Sequence, residues 1–410
     1  MSSEGSKPVR IGLLGRGTVG AAFAELLEER GAAVEAATGR RPELAGILTR
    51  SQGSFEEILA GSDLIVELMG GTEPTRDHVA AALRAGKPVV TANKQLLAQH
   101  GDELFQVARE SGVQLRFEAA VAAVIPIVRA IQEGFGVTEI SKVFGIVNGT
   151  TNFILTEMAA TGAGYDEVLA RAQELGYAEA DPTDDVSGAD AAAKMAILAR
   201  LAFHTPVTLT EVTYDGIERI LPDDLAYAKE LGLSLKLLGV AERRDGGISV
   251  RVFPCFLYRG HPLAPIEGPF NAVMVEAPAI TEVTMSGPGA GGLQTASAVL
   301  GDVVSILAGE APVHETREQL PVVADVPSAF YLHIEVADRP GVLARVATVL
   351  GDNDVSIKSV VQRGSGDEAR LVMVVHECLE SSFTAAVAAL SELSDLRSAP
   401  RHIHVIEDEE

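Results

Sequence analysis

Apolar and polar positions along the first third of the chain alternate in a strand–helix rhythm. The run Val9–Leu14 (VRIGLL) reads as a buried strand, followed by a glycine turn and a helical pattern over 19–30. Further apolar runs fall at 44–48, 63–69, 88–92 and 113–117, with helical spacing between them over 76–85 and 96–111. Strands that alternate with helices predict an α/β fold with parallel pairing in a doubly wound sheet. From about residue 136 the rhythm changes. Two helical patterns, 164–175 and 188–203, precede a Pro- and Gly-rich region with short strands near 248–258 and 271–285, then a helix reaching about Leu307. The stretch 310–328 reads as a linker, and the remainder follows the order strand, helix, strand, strand, helix, strand. The expected division is a nucleotide-binding domain over 1–135 completed by a helix at 290–309, an α+β substrate and dimerisation domain over 136–309, and a small α+β domain over 329–410. No internal repeat or low-complexity tract interrupts this pattern.

Charge narrows the choice of partner. The formal net charge of −24 disfavours nucleic acid and anionic membrane surfaces and points to small-molecule chemistry. Cys255 and Cys378 lie far apart, with no activating histidine beside them in sequence. They imply no disulfide framework and read as packing residues. No stretch approaches the roughly twenty apolar residues of a membrane span, and residues 1–8 lack the apolar core of a secretory signal. The expected setting is cytoplasmic.

The turn after the first strand is Gly15-Arg16-Gly17-Thr18-Val19-Gly20, a G-x-G-x-x-G between a strand and a helix. Its first glycine permits the tight turn, the second lets a pyrophosphate approach the backbone, and the third allows close helix–strand packing. This predicts a dinucleotide-binding Rossmann sheet. The strand expected to carry a ribose-binding acid ends at Thr49, Arg50 and Ser51 with no acid. That composition favours NADP, although Arg50 as a plain surface residue would leave NAD open. Lys94, just past a strand's carboxyl end, lies where open α/β sheets bind ligands, but it could equally cap a solvated helix start. The glycines of 286–292 could wall a nicotinamide or form a flexible turn.

Five acids, Glu179, Asp181, Asp184, Asp185 and Asp190, crowd the twelve positions 179–190, and one lysine, Lys194, follows. A calcium loop would need an acid or amide at 183 and glycine at 186; Thr183 and Val186 stand there. No His or Cys lies nearby for zinc. Asp190 and Lys194, four apart, share a helix face, with Glu179 in the loop before it. The arrangement is either a pocket for a substrate ammonium group or an exposed ion pair of little consequence.

Taken together, LMGGTEP, VVTANKQLLAQHG, LRFEAAVA, GIVNGTTNFILTEM, GYAEADPTDDVSGADAAAK and SGPGAGG resemble homoserine dehydrogenase in order and spacing, from residue 9 to the end. The resemblance implies interconversion of L-homoserine and L-aspartate 4-semialdehyde by hydride transfer with NADP, in the synthesis of threonine, methionine and isoleucine. It makes Lys194 the acid–base residue, assisted by Asp190 and by Lys94 beside nicotinamide and substrate. Glu179, Asp190, Lys94 and Asp185 would hold the substrate. The Gly15–Gly20 turn, Arg50, Met69, Gly70, Lys94, Gly176 and Gly289 would line the cofactor. The family also holds a sodium ion, which places its ligands here at Glu118, Val121, Ala123 and Ile125. Where the family has Gly-Gly, this chain has Ala123-Val124, so a strained positive φ is expected at that pair. The connection from Arg50 to Asp63 is also shorter than in many members.

The last eighty residues resemble the ACT domain, a βαββαβ module, with Asp338-Arg339-Pro340-Gly341 opening its first helix and Asn353 at the position that often contacts ligand. It is either an amino-acid sensor, with threonine the expected effector, or a dimerisation module; a homodimer or homotetramer is expected. A chain ending near Asp325 is expected to fold and remain active. Two other readings compete: a related dehydrogenase acting on aspartate, and a non-catalytic amino-acid sensor. The paired lysines speak against the latter.

Overall fold

A computed structural model describes residues 7–310, 319–366 and 369–406; part of the expected linker and the acidic C-terminal residues lie outside them. The nucleotide unit runs β1 (Val9–Leu14), α1 (Thr18–Thr38), β2 (Pro42–Leu48), α2 (Phe55–Gly61), β3 (Leu64–Glu67), α3 (Thr75–Arg84), β4 (Val89–Thr91), α4 (Lys94–Ser111) and β5 (Leu115–Arg116). These strands form a five-stranded parallel sheet in the order β2-β1-β3-β4-β5. The order reverses between β1 and β3, which opens a crevice at their carboxyl ends, where the glycine turn lies. Helix α1 continues past Arg30 because Gly31, buried above Pro42, is followed by an alanine-rich turn; Gly39 then ends it in the left-handed conformation.

A short α5 (Ile127–Arg129) leads into the second unit: β6 (Lys142–Ile146), α6 (Gly149–Thr161), α7 (Tyr165–Glu174), α8 (Thr183–Val186), α9 (Ala189–Phe203), β7 (Thr213–Tyr214), α10 (Pro222–Glu230), β8 (Leu233–Arg244), β9 (Gly247–Tyr258), β10 (Phe270–Ala277), β11 (Thr281–Pro288) and α11 (Gly292–Ala308). Helix α11 returns to the nucleotide unit: Ala296, Val299, Val303 and Leu307 pack with Ile11, Leu13 and Phe23. Helix α9 is buried on almost every side. It lies close on the sheet because Gly145 of β6 and Gly239 of β8, cross-strand partners, leave room for Met195; a Cβ at Gly239 would come within 2.3 Å of that side chain.

The C-terminal unit comprises β12 (Pro327–Glu335), α12 (Val342–Asp352), β13 (Ile357–Arg363), β14 (Arg370–Leu379), α13 (Glu380–Ser391) and β15 (Arg401–Ile406). It is not a separate body. β15 pairs in parallel with β9 through His404–Cys255, Val405–Phe256 and Ile406–Leu257, so one ten-stranded sheet spans both units. Ala329, Tyr331, Val372, Ile403 and Val405 belong to the core of the second unit. Ahead of β12, Pro321 and Val323 bond to Ile248 on β9 at 2.9 and 2.7 Å. The described part of the expected linker is therefore tied to β9, and this shared sheet speaks against the expectation that a chain ending near Asp325 folds and stays active.

Burial also sets an acid response. His261 lies among Phe144 and Tyr258, and its Nδ1 accepts from the Leu263 N–H at 3.1 Å. Burial lowers its pKa from 6.5 to about 4. The folded state thus favours the neutral ring. This stability is fully present above about pH 6.5 and is lost as pH falls through 4. His261→Gln should flatten the fall in melting temperature between pH 6.5 and 4, measured by thermal denaturation.

Candidate active site

Two lysines bracket one buried carboxylate. Asp190, in the first turn of α9, lies 2.7 Å from Lys94 through Oδ1 and 2.7 Å from Lys194 through Oδ2. Its side chain is 4% exposed, and that of Lys194 is 12% exposed. The solvated ion-pair reading is thereby excluded. Lys194 also donates to the Val147 carbonyl at 2.7 Å. Lys94 opens α4, where Asn93 caps the helix through Leu96 N–H and donates to the Gly71 carbonyl. The Arg200–Asp102 ion pair holds α4 against α9.

Asn148, given no role from sequence, joins this array. It caps α6 through Thr151 N–H and donates to Asp185 at 2.7 Å and Asp190 at 2.8 Å. Its signal was an N-cap asparagine directly after a strand. Burial would raise the Asp190 pKa, but the Lys194 and Lys94 ammoniums win and hold it well below the usual carboxylate range. Lys94 is shifted upward: burial opposes the charge, and Asp190 overcomes it. Asp185 is pushed up by burial, and the neighbouring Asp190 charge adds to this.

Other residues of the acidic run fall outside this array. Glu179 is exposed on the loop after α7, and Asp184 is exposed too. Asp181 accepts from Thr183 N–H and hydroxyl and starts α8. Gly176, at φ +76°, turns the chain after α7, and the Thr150 hydroxyl bonds the next carbonyl, Tyr177, at 2.6 Å.

The glycine turn is built as its spacing requires. A Cβ on Gly15 would lie 2.4 Å from the Leu68 carbonyl oxygen, and one on Gly20 2.2 Å from that of Gly15; Gly17 faces open space. Gly17 starts α1 with no side-chain cap, so Thr18, Val19 and their neighbours present N–H groups to an anion. Arg16 and Arg50 are exposed. Met69 and Gly70 N–H groups are taken by Glu67, at 2.7 and 3.3 Å, and so are not donors to a ligand. Sequence reading missed Glu67, a fully buried acid that also accepts from the Thr91 hydroxyl. Burial raises its pKa against these bonds. Its signal was an acid ending an apolar strand.

At the turn after β5, Glu118 accepts from Val128 and Arg129 N–H, and its own N–H donates to Asp302. Burial and the Asp302 charge raise its pKa to about 7. Ala122 and Ala123 have φ of +55° and +49°. The strained pair therefore lies one residue before the expected Ala123-Val124. Among the described residues no cluster of three or more His, Cys, Asp or Glu could hold a metal; carbonyls at Glu118, Val121, Ala123 and Ile125 are a different donor set. Both cysteines are buried with raised pKa values, Cys378 to about 11, which fits packing.

A Rossmann-like sheet with an open glycine turn and a lysine–carboxylate–lysine array defines an NAD(P)-dependent oxidoreductase. Residues 15–118 match the NAD-binding domain of homoserine dehydrogenase, 126–304 the homoserine dehydrogenase model, and 330–395 the ACT domain. The homoserine dehydrogenase of Mycobacterium tuberculosis is 43% identical over 94% of this chain and 95% of its own. The structure of a homoserine dehydrogenase from Thiobacillus denitrificans superposes with a TM-score of 0.92 at 36% identity, covering 98% of this chain and 99% of that one. A hyperthermophilic archaeal homoserine dehydrogenase in complex with NADPH covers 75% of this chain and all of its own, at 27% identity and a TM-score of 0.65. The chain belongs to the homoserine dehydrogenase family.

No helix among the described residues is long and apolar enough to cross a membrane.

Proposed function

We infer that the chain interconverts L-aspartate 4-semialdehyde and L-homoserine with NADP, and that Lys194 moves the proton. The observation that carries this is Asp190 held between the Lys94 and Lys194 ammoniums at 2.7 Å each. A bound nicotinamide would supply or accept the hydride. In the reducing direction the Lys194 ammonium donates a proton to the aldehyde oxygen as it gains charge. In the oxidising direction neutral Lys194 takes the hydroxyl proton. Asp190 and the Val147 carbonyl fix the amine's position, and Lys94 offsets the buried negative charge. Asp185, already beside Asn148, and Glu179, after its loop turns inward, take the substrate ammonium.

The Gly15–Gly20 turn would receive the pyrophosphate, with Gly176 and Gly289 beside the nicotinamide end. Arg50, past the end of β2 with no acid beside it, would favour a 2′-phosphate, and the NADPH complex of the archaeal relative supports that choice. A sodium ion would be held by carbonyls at Glu118, Val121, Ala123 and Ile125, all-oxygen donors suited to a hard cation. The C-terminal module would bind a small amino acid, threonine first among candidates.

The test is cofactor oxidation with aspartate semialdehyde, compared with oxaloacetate plus ammonia, using NADPH and NADH. Activity confined to the second mixture would replace this reading with an aspartate dehydrogenase. In the same assay Arg50→Asp should raise KM for NADPH tenfold or more while changing that for NADH little; equal losses would remove Arg50 from the ribose site.

A further inference from the structure

Asn271, the second residue of β10, is fully buried, yet among the described residues neither its Oδ1 nor its Nδ2 has a hydrogen-bond partner. Buried polar side chains are almost always paired, and an isosteric leucine would fill the same space without stranding a donor and an acceptor. A carboxamide in such a place therefore points to a partner present in another state of the protein. The surroundings identify that partner. Asn271 pairs across the sheet with Gly287 of β11, at the start of the Gly287–Gly292 loop. Its carboxamide lies directly on Gly289: a Cβ there would meet Oδ1 at 2.3 Å and Cγ at 2.4 Å. Among the described residues the Gly289 N–H makes only a long bond to the Pro269 carbonyl, at 3.5 Å.

Both ends of this region touch chemistry. The next residue of β10, Ala272, pairs with Ile146, the neighbour of Val147 whose carbonyl takes the Lys194 ammonium. At the far end of the loop, a Cβ on Gly292 would meet Thr18 of the glycine turn at 3.0 Å. The loop thus runs from β11, one strand removed from the strand that leads to Val147, to the cofactor turn, and the Asn271 carboxamide lies against its Gly289.

We propose that Asn271 is a positioning residue: when cofactor is seated, its carboxamide takes a backbone N–H and carbonyl of the Gly287–Gly292 loop and fixes that loop against the nicotinamide end. This rests on the assignment of the glycine turn to a dinucleotide. The bonds link cofactor binding to the strand that flanks Val147, and so to the setting of Lys194.

Asn271→Leu and Asn271→Ser test the proposal on the full chain. Asn271→Leu should melt at or above the wild-type temperature without cofactor, because it removes two stranded polar atoms. Its stabilisation by saturating NADP+ should shrink, and KM for the cofactor should rise about tenfold with a smaller change in KM for aspartate semialdehyde. Hydrogen exchange at 287–292 should be slowed by NADP+ in wild type and not in Asn271→Ser, which tests the idea even if the leucine variant fails to fold. A leucine variant that is destabilised without cofactor while the serine variant keeps full loop protection would overturn the proposal, since the amide would then serve only the free fold. Wild-type protein showing no cofactor-dependent protection or melting shift would instead overturn the dinucleotide assignment.

Discussion

Lys194→Ala should lower kcat by two to four orders of magnitude while leaving cofactor binding close to wild type. General acid–base catalysis contributes on the order of 10²–10⁴-fold, and Lys194 is the less exposed of the two amines on Asp190. The glycine turn that would receive the pyrophosphate belongs to β1 and α1, so its N–H groups are untouched. Asp190 would keep Lys94 and Asn148 as partners, so the loss of stability should be modest, about 1–2 kcal/mol. Lys194→Arg is the sharper control: a guanidinium keeps the charge but does not give up its proton near neutral pH. It should be nearly as inactive as alanine. Retention of more than a tenth of wild-type kcat by Lys194→Ala, with cofactor saturation verified, would remove Lys194 from proton transfer.

A chain ended after Asp325 should fail to accumulate as folded, soluble protein. The cut removes β15 from the edge of β9, uncovering backbone groups along Cys255–Leu257. It also strips Tyr331 from its edge-on contact with Phe256, at 5.2 Å between centroids, and takes Ala329, Val372, Ile403 and Val405 out of the shared core. Each large side chain lost from such a core is worth about 1.5–3 kcal/mol. The sum is on the order of 10 kcal/mol, comparable with the 5–15 kcal/mol stability of a typical domain. On α10, buried Asp224 would lose Arg401 and His333, both 3.4 Å away. Expression, sedimentation and a melting curve decide the matter. A truncated chain that is monodisperse, melts cooperatively and keeps wild-type turnover would show that the seam contributes little.

These two expectations come from different levels of the molecule. Lys194 and Asp190 were legible in sequence because a spacing of four on a helix already places two side chains together. The glycine turn was legible because its three glycines each answer a local need, and the structure shows two of those needs as close backbone approaches at Gly15 and Gly20. Helix α6 and strand β8 were not read. The segment GTTNFILTEMAAT carries four Thr and is buried on several faces, so no helical stripe marks it; LSLKLLGVAERR has the composition of a helix but is held as a strand between β6 and β9. Neighbours decided both.

What the sequence by itself determined was therefore local: the alternation of strand and helix, the turn that opens to an anion, the helix face carrying Asp190 and Lys194, and the motif order of the family. Only the tertiary structure decided that Lys94, nearly a hundred positions earlier, shares Asp190 with Lys194, that Asn148 bridges Asp185 and Asp190, and that Glu179 stays outside this array. It also decided that the C-terminal unit is continuous with the catalytic sheet rather than tethered to it. The physical reason is common to all of these. Helix spacing and turn chemistry act over a few residues and leave a periodic mark, whereas a buried charge and a sheet edge are satisfied by whichever group the fold brings near, and sequence distance carries no record of that choice.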